Sequence, residues 1–208
     1  MIKRSLLLSL LLVAGGLHAQ DQTPDLAKAK QTAEGICAGC HGADGNSAVP
    51  TNPKLADQHE EYLYKQLREF KSWDGKPAVR DNPVMGAMVA GLEDADMKAL
   101  AVHFSSQELQ PAVATNADTA KRGQDIWRAG IASKGVPACA GCHGPAGAGL
   151  PAQYPRLAGQ FAEYTEAQLK AFRDGVRAND PNLMMQTIAL KMTDGEIKAV
   201  SDYAAGLR

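Results

Sequence analysis

The sequence predicts an all-α protein built from two tandem domains of one kind. Three observations carry that expectation: an internal repeat, apolar residues at helical spacing in both copies, and no alternating strand pattern.

Residues 1–19 stand apart from the rest. Lys3 and Arg4 precede a short apolar run over residues 6–16, and a small residue, Ala19, closes the segment. A basic start, a brief apolar stretch and a small residue at the end make a secretory signal peptide cleaved after Ala19. A retained anchor is the rival reading, but the run is short against the roughly 20 residues that cross a hydrocarbon core. His18 falls in the discarded piece. The expected location is the periplasm, with peripheral membrane association left open.

The repeat begins at the cysteines. Cys37-Ala-Gly-Cys40-His41-Gly42 recurs as Cys139-Ala-Gly-Cys142-His143-Gly144, displaced by 139 − 37 = 102. At the same displacement Pro53-Lys-Leu55-Ala56-x-Gln58 meets Pro155-Arg-Leu157-Ala158-x-Gln160, and Tyr62, Gln66, Leu67 and Phe70 meet Tyr164, Gln168, Leu169 and Phe172. A net deletion of two residues brings Asp94, Lys98 and Ala99 onto Asp194, Lys198 and Ala199. The expected domains are residues 20–106 and 119–208, joined by a linker at 107–118.

Each copy reads as helix. Tyr62, Leu63, Leu67 and Phe70 share a helical face, and Tyr164, Gln168, Phe172 and Val176 repeat it less cleanly. Met97, Leu100, Ala101 and Phe104 mark a last helix in the first copy; Ile197, Val200 and Ala204 mark it in the second. Thr193-Asp-Gly-Glu196 is a capping box at the start of that final helix. Gly- and Pro-rich loops separate the helices. Domains of about 90 residues with so few aromatics bury little apolar surface by themselves, so a large apolar ligand is expected at the centre of each.

The four cysteines name that ligand. Cys-x-x-Cys-His is the attachment signature of c-type haem: two thiols add to the porphyrin vinyl groups and the adjacent histidine reaches the iron. The rivals are a thioredoxin-like thiol pair and half of a zinc site. The first lacks alternating strands and helices; the second leaves the adjacent histidine unexplained. Two covalent haem c groups are therefore expected, on Cys37 and Cys40 with His41, and on Cys139 and Cys142 with His143. No histidine follows His143, so a thioether is the expected sixth ligand of the second iron. The candidates are Met85, Met88 and Met97 in one copy and Met184, Met185 and Met192 in the other. In the register of the downstream identities only Met85 and Met185 are Met in both copies. The other four align with aliphatic residues and read as core packing. His59 and His103 align with Phe161 and with Tyr203 or a neighbour, and read as packing or surface residues. Tyr62, Tyr164, Arg80, Arg173 and Arg177 are candidate partners of haem propionates.

With these motifs the mature chain resembles the dihaem cytochrome c4 family over essentially all of residues 21–208. Besides both haem motifs, the resemblance rests on the two Pro-Lys/Arg-Leu-Ala-x-Gln segments, Ser-Ser-Gln107, Asn-Pro-Val-Met85 and Asp180-Pro-Asn-Leu-Met-Met185. It implies two tandem cytochrome c-like domains, each wrapped around one covalent haem, with His and Met axial ligands. It also implies haems facing each other across the domain interface. Asp57 departs from the pattern, since a glycine such as Gly159 is usual there.

The implied function is that of a periplasmic electron carrier, not an enzyme. It would take electrons from a donor complex or cytochrome and pass them toward a terminal haem–copper oxidase. An iron capped on both faces keeps no open position for substrate. The alternatives are a dihaem enzyme (a peroxidase or a dehydrogenase subunit oxidising an inorganic donor) and a dedicated subunit of a larger oxidase. The charge count excludes a nucleic-acid partner: residues 21–106 carry 13 acidic against 9 basic side chains, and residues 107–208 carry 10 against 11. That imbalance gives the molecule a lengthwise dipole able to orient a docking partner.

Overall fold

The computed structural model describes residues 23–151 and 153–208. The expected signal peptide lies outside them, as do residues 20–22 of the expected first domain. Among the described residues the structure is helical, and the only β-pairing is isolated bridges such as Ile131 with Val136.

The first copy contains α1 (Leu26–Thr32), α2 (Ala38–His41), α3 (Glu60–Phe70), α4 (Pro83–Val89) and α5 (Asp94–Ser105). The second contains α6 (Ala117–Ala129), α7 (Ala140–His143), α8 (Ala162–Arg173), α9 (Met184–Ala189) and α10 (Asp194–Ala205). In both, the first and last helices cross, α1 on α5 and α6 on α10, and the long middle helix packs beside the last. The crossing is closest at Gly123, where a Cβ would lie 2.3 Å from the Ala199 carbonyl oxygen and 2.6 Å from Tyr203 Cβ. Only glycine lets the α6 and α10 backbones approach that far.

Small residues do the same work in the first copy. Ala29 of α1 and Ala33 just after it are buried against Ala99, Leu100 and Phe104 of α5, with Leu63 of α3 completing the cluster. The second core is heavier: Ile126, Trp127, Val136, Met192, Ile197, Val200 and Ala204. Trp127 is fully buried and its indole donates to the Pro145 carbonyl, the partner a buried indole N–H needs. Met97 joins Phe70 and Val89 in a third cluster. Met97 and Met192 are thus packing residues. Met88 corrects the expectation for the remaining methionines: it is 45 % exposed, not core.

The copies differ in how they enter the haem motif. In the first, α1 runs into α2 through a π-helical turn at Ala33–Cys37. In the second, α6 stops at Gly130 with φ +71°, and an inserted turn containing Ala132–Lys134 leads to α7. That turn returns Lys134 to the start of α10, where Glu196 closes the expected capping box with Thr193 and pairs with Lys134 and Arg122. The first copy has a capping box of its own at Glu93 and Asp96, which the sequence reading passed over. The connection between α5 and α6 is held at both ends: Asn46 grips the backbone of Glu108 and Gln110, and Asp202 accepts from the amides of Thr115 and Asn116. No described helix is long and apolar enough to cross a membrane.

Burial pushes the Glu196 carboxyl upward, but its bonds to Lys134 and Thr193 outweigh that and bring it down to about 2. A carboxyl depressed in the folded state stabilises fully above its unfolded value and loses that contribution as pH falls through its folded value. Glu196→Gln is expected to cost about 1–2 kcal/mol at neutral pH, a figure reduced for the solvent that reaches Arg122 and Lys134. In urea titrations the gap to the parent protein should close between about pH 4.5 and pH 2.

Candidate haem sites

Each motif histidine is buried, 8 % exposed, at the end of a one-turn helix. His41 Nδ1 lies 2.9 Å from the Pro53 carbonyl oxygen and His143 Nδ1 lies 3.0 Å from that of Pro155. The bond fixes the tautomer: Nδ1 carries the proton and donates it, so Nε2 keeps its lone pair. Neither Nε2 has a hydrogen-bond partner among the described residues. Burial pushes both imidazoles below their ordinary range, only partly offset by the carbonyl bond, so both rings are neutral at neutral pH. A neutral, oriented imidazole with a free nitrogen is the form that binds a metal. In both copies the acceptor is the proline's own carbonyl.

Cys40 and Cys142 sit on the same short helices and Cys37 and Cys139 immediately before them, all four with free thiols. Burial pushes Cys37 up and Cys139 up to about 11. Thiols held protonated are the opposite of a reactive redox pair, whose chemistry needs a depressed thiol. Among the described residues, no three His, Cys, Asp or Glu side chains converge as a zinc site requires. Both rivals to haem lose ground.

The two candidate methionines occupy matched short helices. Met85 lies in the first turn of α4, its amide capped by the Asn82 side chain; Met185 lies in the first turn of α9, after Asp180, whose carboxylate accepts from the next amide, Gln186. Both are partly buried. Leu183 and Asn182, at φ +57° and +56°, bend the chain into α9.

The structure also resolves the gap in the repeat. Arg80 and Arg177 are equivalent: each stacks on the last aromatic of the middle helix, Phe70 or Phe172, at 4.5 and 4.4 Å. Each also donates its amide one residue further back, to Glu69 or Ala171. Their displacement is 177 − 80 = 97, so the second copy is five residues shorter before the arginine and three longer after it. The net two-residue deletion is the sum of these changes.

These arginines meet at the centre of the molecule. Arg80 donates to Gln66 and reaches across to Tyr164 and Gln168; Arg177 donates to Gln168 and Asn179 and reaches across to Tyr62 and Gln66. Both guanidiniums are buried, with no carboxylate among these partners. Burial of Tyr62 raises its pKa, but Arg177 and Arg80 more than offset this and the net shift is downward. Gln66 Nε2 is buried with no hydrogen-bond partner among the described residues. Buried cations bonded only to neutral groups, beside an orphaned donor, fit an anionic ligand group, and propionates are such groups. Arg173 does not belong here; it pairs with Asp174 and Asp194 on the far side of α8. Apolar positions match as well: Val79 and Val176, just before the two arginines, are 62 % and 72 % exposed, as the walls of a flat apolar ligand would be.

Sequence reasoning missed the roles of Gln58, Gln160, Gln66 and Gln168, although all four appear in the repeat. His59 caps α3 and its Nε2 lies 2.9 Å from the Ala148 carbonyl of the other copy; His103 lies edge-on to Phe104. Asp57 takes φ +55° where Gly159 takes +72°, and it pairs with Arg156 across the interface.

Two helical domains, each carrying a Cys-x-x-Cys-His turn whose buried histidine keeps a free imidazole nitrogen, define a two-domain c-type cytochrome. Residues 26–107 and 120–207 each match the family profile described as Cytochrome c. A cytochrome c4 of Thiocapsa roseopersicina is 44 % identical over 93 % of this chain and 98 % of its own length. The crystal structure of reduced cytochrome c4 from Pseudomonas stutzeri superposes with a TM-score of 0.82 at 38 % identity, covering 89 % of this chain and all of that one. A thiosulfate dehydrogenase electron acceptor of Thiomonas intermedia is 41 % identical over 81 % of this chain and 77 % of its own. The chain belongs to the cytochrome c4 family.

Arg177→Leu removes four hydrogen bonds from the buried interface and leaves Asn179 Oδ1 and Tyr62 Oη without their donor; it is expected to cost about 3 kcal/mol. Arg173→Leu, at the surface, should leave the denaturant midpoint nearly unchanged.

Proposed function

We propose that this chain is a periplasmic electron carrier holding two covalent haems. Cys37 and Cys40 bind one and Cys139 and Cys142 the other, with His41 and Met85, and His143 and Met185, as axial ligands. One observation carries the reading: each motif histidine spends its Nδ1 proton on a proline carbonyl and keeps Nε2 free, identically in both copies. The bound group supplies reversible one-electron exchange at its iron. The chain's own residues do the rest. His and Met cap both faces and leave no position for substrate; the thioether favours the reduced state. Arg80 and Arg177 would neutralise haem propionates, and Tyr62 and Tyr164 would donate hydrogen bonds to them. The acceptor is a terminal haem–copper oxidase, reached after export guided by residues 1–19.

The donor side is pointed to by relatives described as electron acceptors of thiosulfate dehydrogenase, at 41 % and 40 % identity. On that reading the chain accepts electrons from an enzyme that oxidises a small sulfur anion, and does not oxidise the anion itself. Thiosulfate alone should leave the oxidised protein unreduced in stopped-flow absorbance, and thiosulfate with its purified dehydrogenase should reduce both haems. Reduction by thiosulfate alone would make the chain an enzyme.

An optical redox titration tests the carrier reading. Two low-spin haems with the near-infrared band of sulfur ligation are expected. Met185→Ala should keep both haems attached on a denaturing gel, while one becomes high-spin or takes another ligand and its potential falls. Unchanged spectra and potentials would refute the ligand assignment.

A further inference from the structure

We propose that Gln58 and Gln160 are positioning residues acting across the domain boundary, each setting the electron density on the axial histidine of the other domain through one shared peptide unit. The proposal rests on the reading of His41 and His143 as iron ligands.

The geometry is reciprocal. The peptide joining Pro53 to Lys54 accepts His41 Nδ1 at its carbonyl, 2.9 Å, and donates its N–H to Gln160 Oε1 of the second domain, also 2.9 Å. The peptide joining Pro155 to Arg156 accepts His143 Nδ1 at 3.0 Å and donates to Gln58 Oε1 of the first domain at 2.9 Å. Each glutamine returns its Nε2 to the next carbonyl on the same strand of chain, Lys54 or Arg156, at 2.9 and 3.0 Å. Each Oε1 also accepts an amide of its own domain, Phe161 or His59, which fixes which way the amide faces. Both side chains are buried, 8 % exposed.

A peptide group is a resonance dipole. Withdrawing its N–H into a hydrogen bond shifts charge to its oxygen and strengthens that oxygen as an acceptor, and buried chains of such bonds reinforce one another. A stronger acceptor draws the Nδ1 proton further and makes the imidazole a more basic ligand. A more basic ligand favours the ferric iron, so each glutamine holds down the potential of the haem in the other domain. Gln160 thus acts on the first haem and Gln58 on the second. The supports of the two ligand histidines are thus joined by hydrogen bonds across the domain boundary.

Replacement by methionine keeps length and apolar packing while removing both amide atoms. Gln160→Met, Gln58→Met and the parent protein, each loaded with haem and with 15N-labelled histidine, would be titrated electrochemically. Following the ring signals of His41 and His143 assigns each potential to its domain. Gln160→Met should raise the potential reported by His41, speed exchange of its Nδ1 proton, and leave the His143 potential in place; Gln58→Met should give the mirror image. A variant that moves both potentials equally, or only that of its own domain, or neither, overturns the proposal. If one variant does not fold, the other decides. Ring signals that do not respond to oxidation in the parent protein would instead sink the underlying ligand reading.

Discussion

The hydrogen bond from each motif histidine to a proline carbonyl is the constraint on which the rest of the site depends. It fixes the imidazole in one tautomer, aims the other nitrogen inward, and ties the haem-binding turn to the loop that follows it. Without it the ring could rotate and the lone pair needed by iron would have no set direction. Proline suits the position because its locked φ limits the loop's freedom. The same peptide then reaches its N–H to the opposite domain, so a local bond becomes part of the interface.

That interface is close to symmetric in its central parts and asymmetric at its margins. Tyr62, Gln66 and Arg80 face Tyr164, Gln168 and Arg177 in a nearly two-fold arrangement. Around them the copies have diverged. Lys65 and Glu69 in the first domain engage Asn179 in the second, whereas their repeat equivalents are Ala167 and Ala171. Asp57 pairs with Arg156, but Lys54 lies over the Phe161 ring instead. Divergence is thus concentrated where two equal halves could acquire unequal electrostatics, and the ligand supports stay paired.

The fold and the candidate haem sites were legible because duplication printed them twice. A motif seen once competes with zinc and thiol readings; seen twice at a fixed displacement, with prolines and glutamines in step, it constrains the whole chain. What remained hidden depended on side chains meeting from different copies. Gln58 and Gln160 sit in plain view beside the prolines, yet only the packing shows each bonding the other's peptide. Arg80 and Arg177 were concealed by two compensating gaps, since a net change of two residues hides a loss of five and a gain of three. Arg173, nearer in sequence to the aromatic, looked equally eligible until its surface partners were seen. Met88 looked like core because its repeat partner is aliphatic, an inference that pairing alone cannot secure when the copies pack differently.

The segment between α5 and α6 does more than connect. Its backbone is held by Asn46 of one domain and Asp202 of the other, and Ala112 donates to the Gly159 carbonyl. The surfaces it brings together are dominated by amides, phenols and guanidiniums, which yield little net free energy per bond once water is counted. Two separate polypeptides with these faces would meet weakly. A short tether instead supplies each face with its partner at an effective concentration of roughly millimolar or higher, independent of how dilute the protein becomes. A polar contact surface, unsuited to a dimer of free subunits, becomes sufficient inside one chain, and the spacing of the two candidate haem sites is preserved wherever the molecule diffuses.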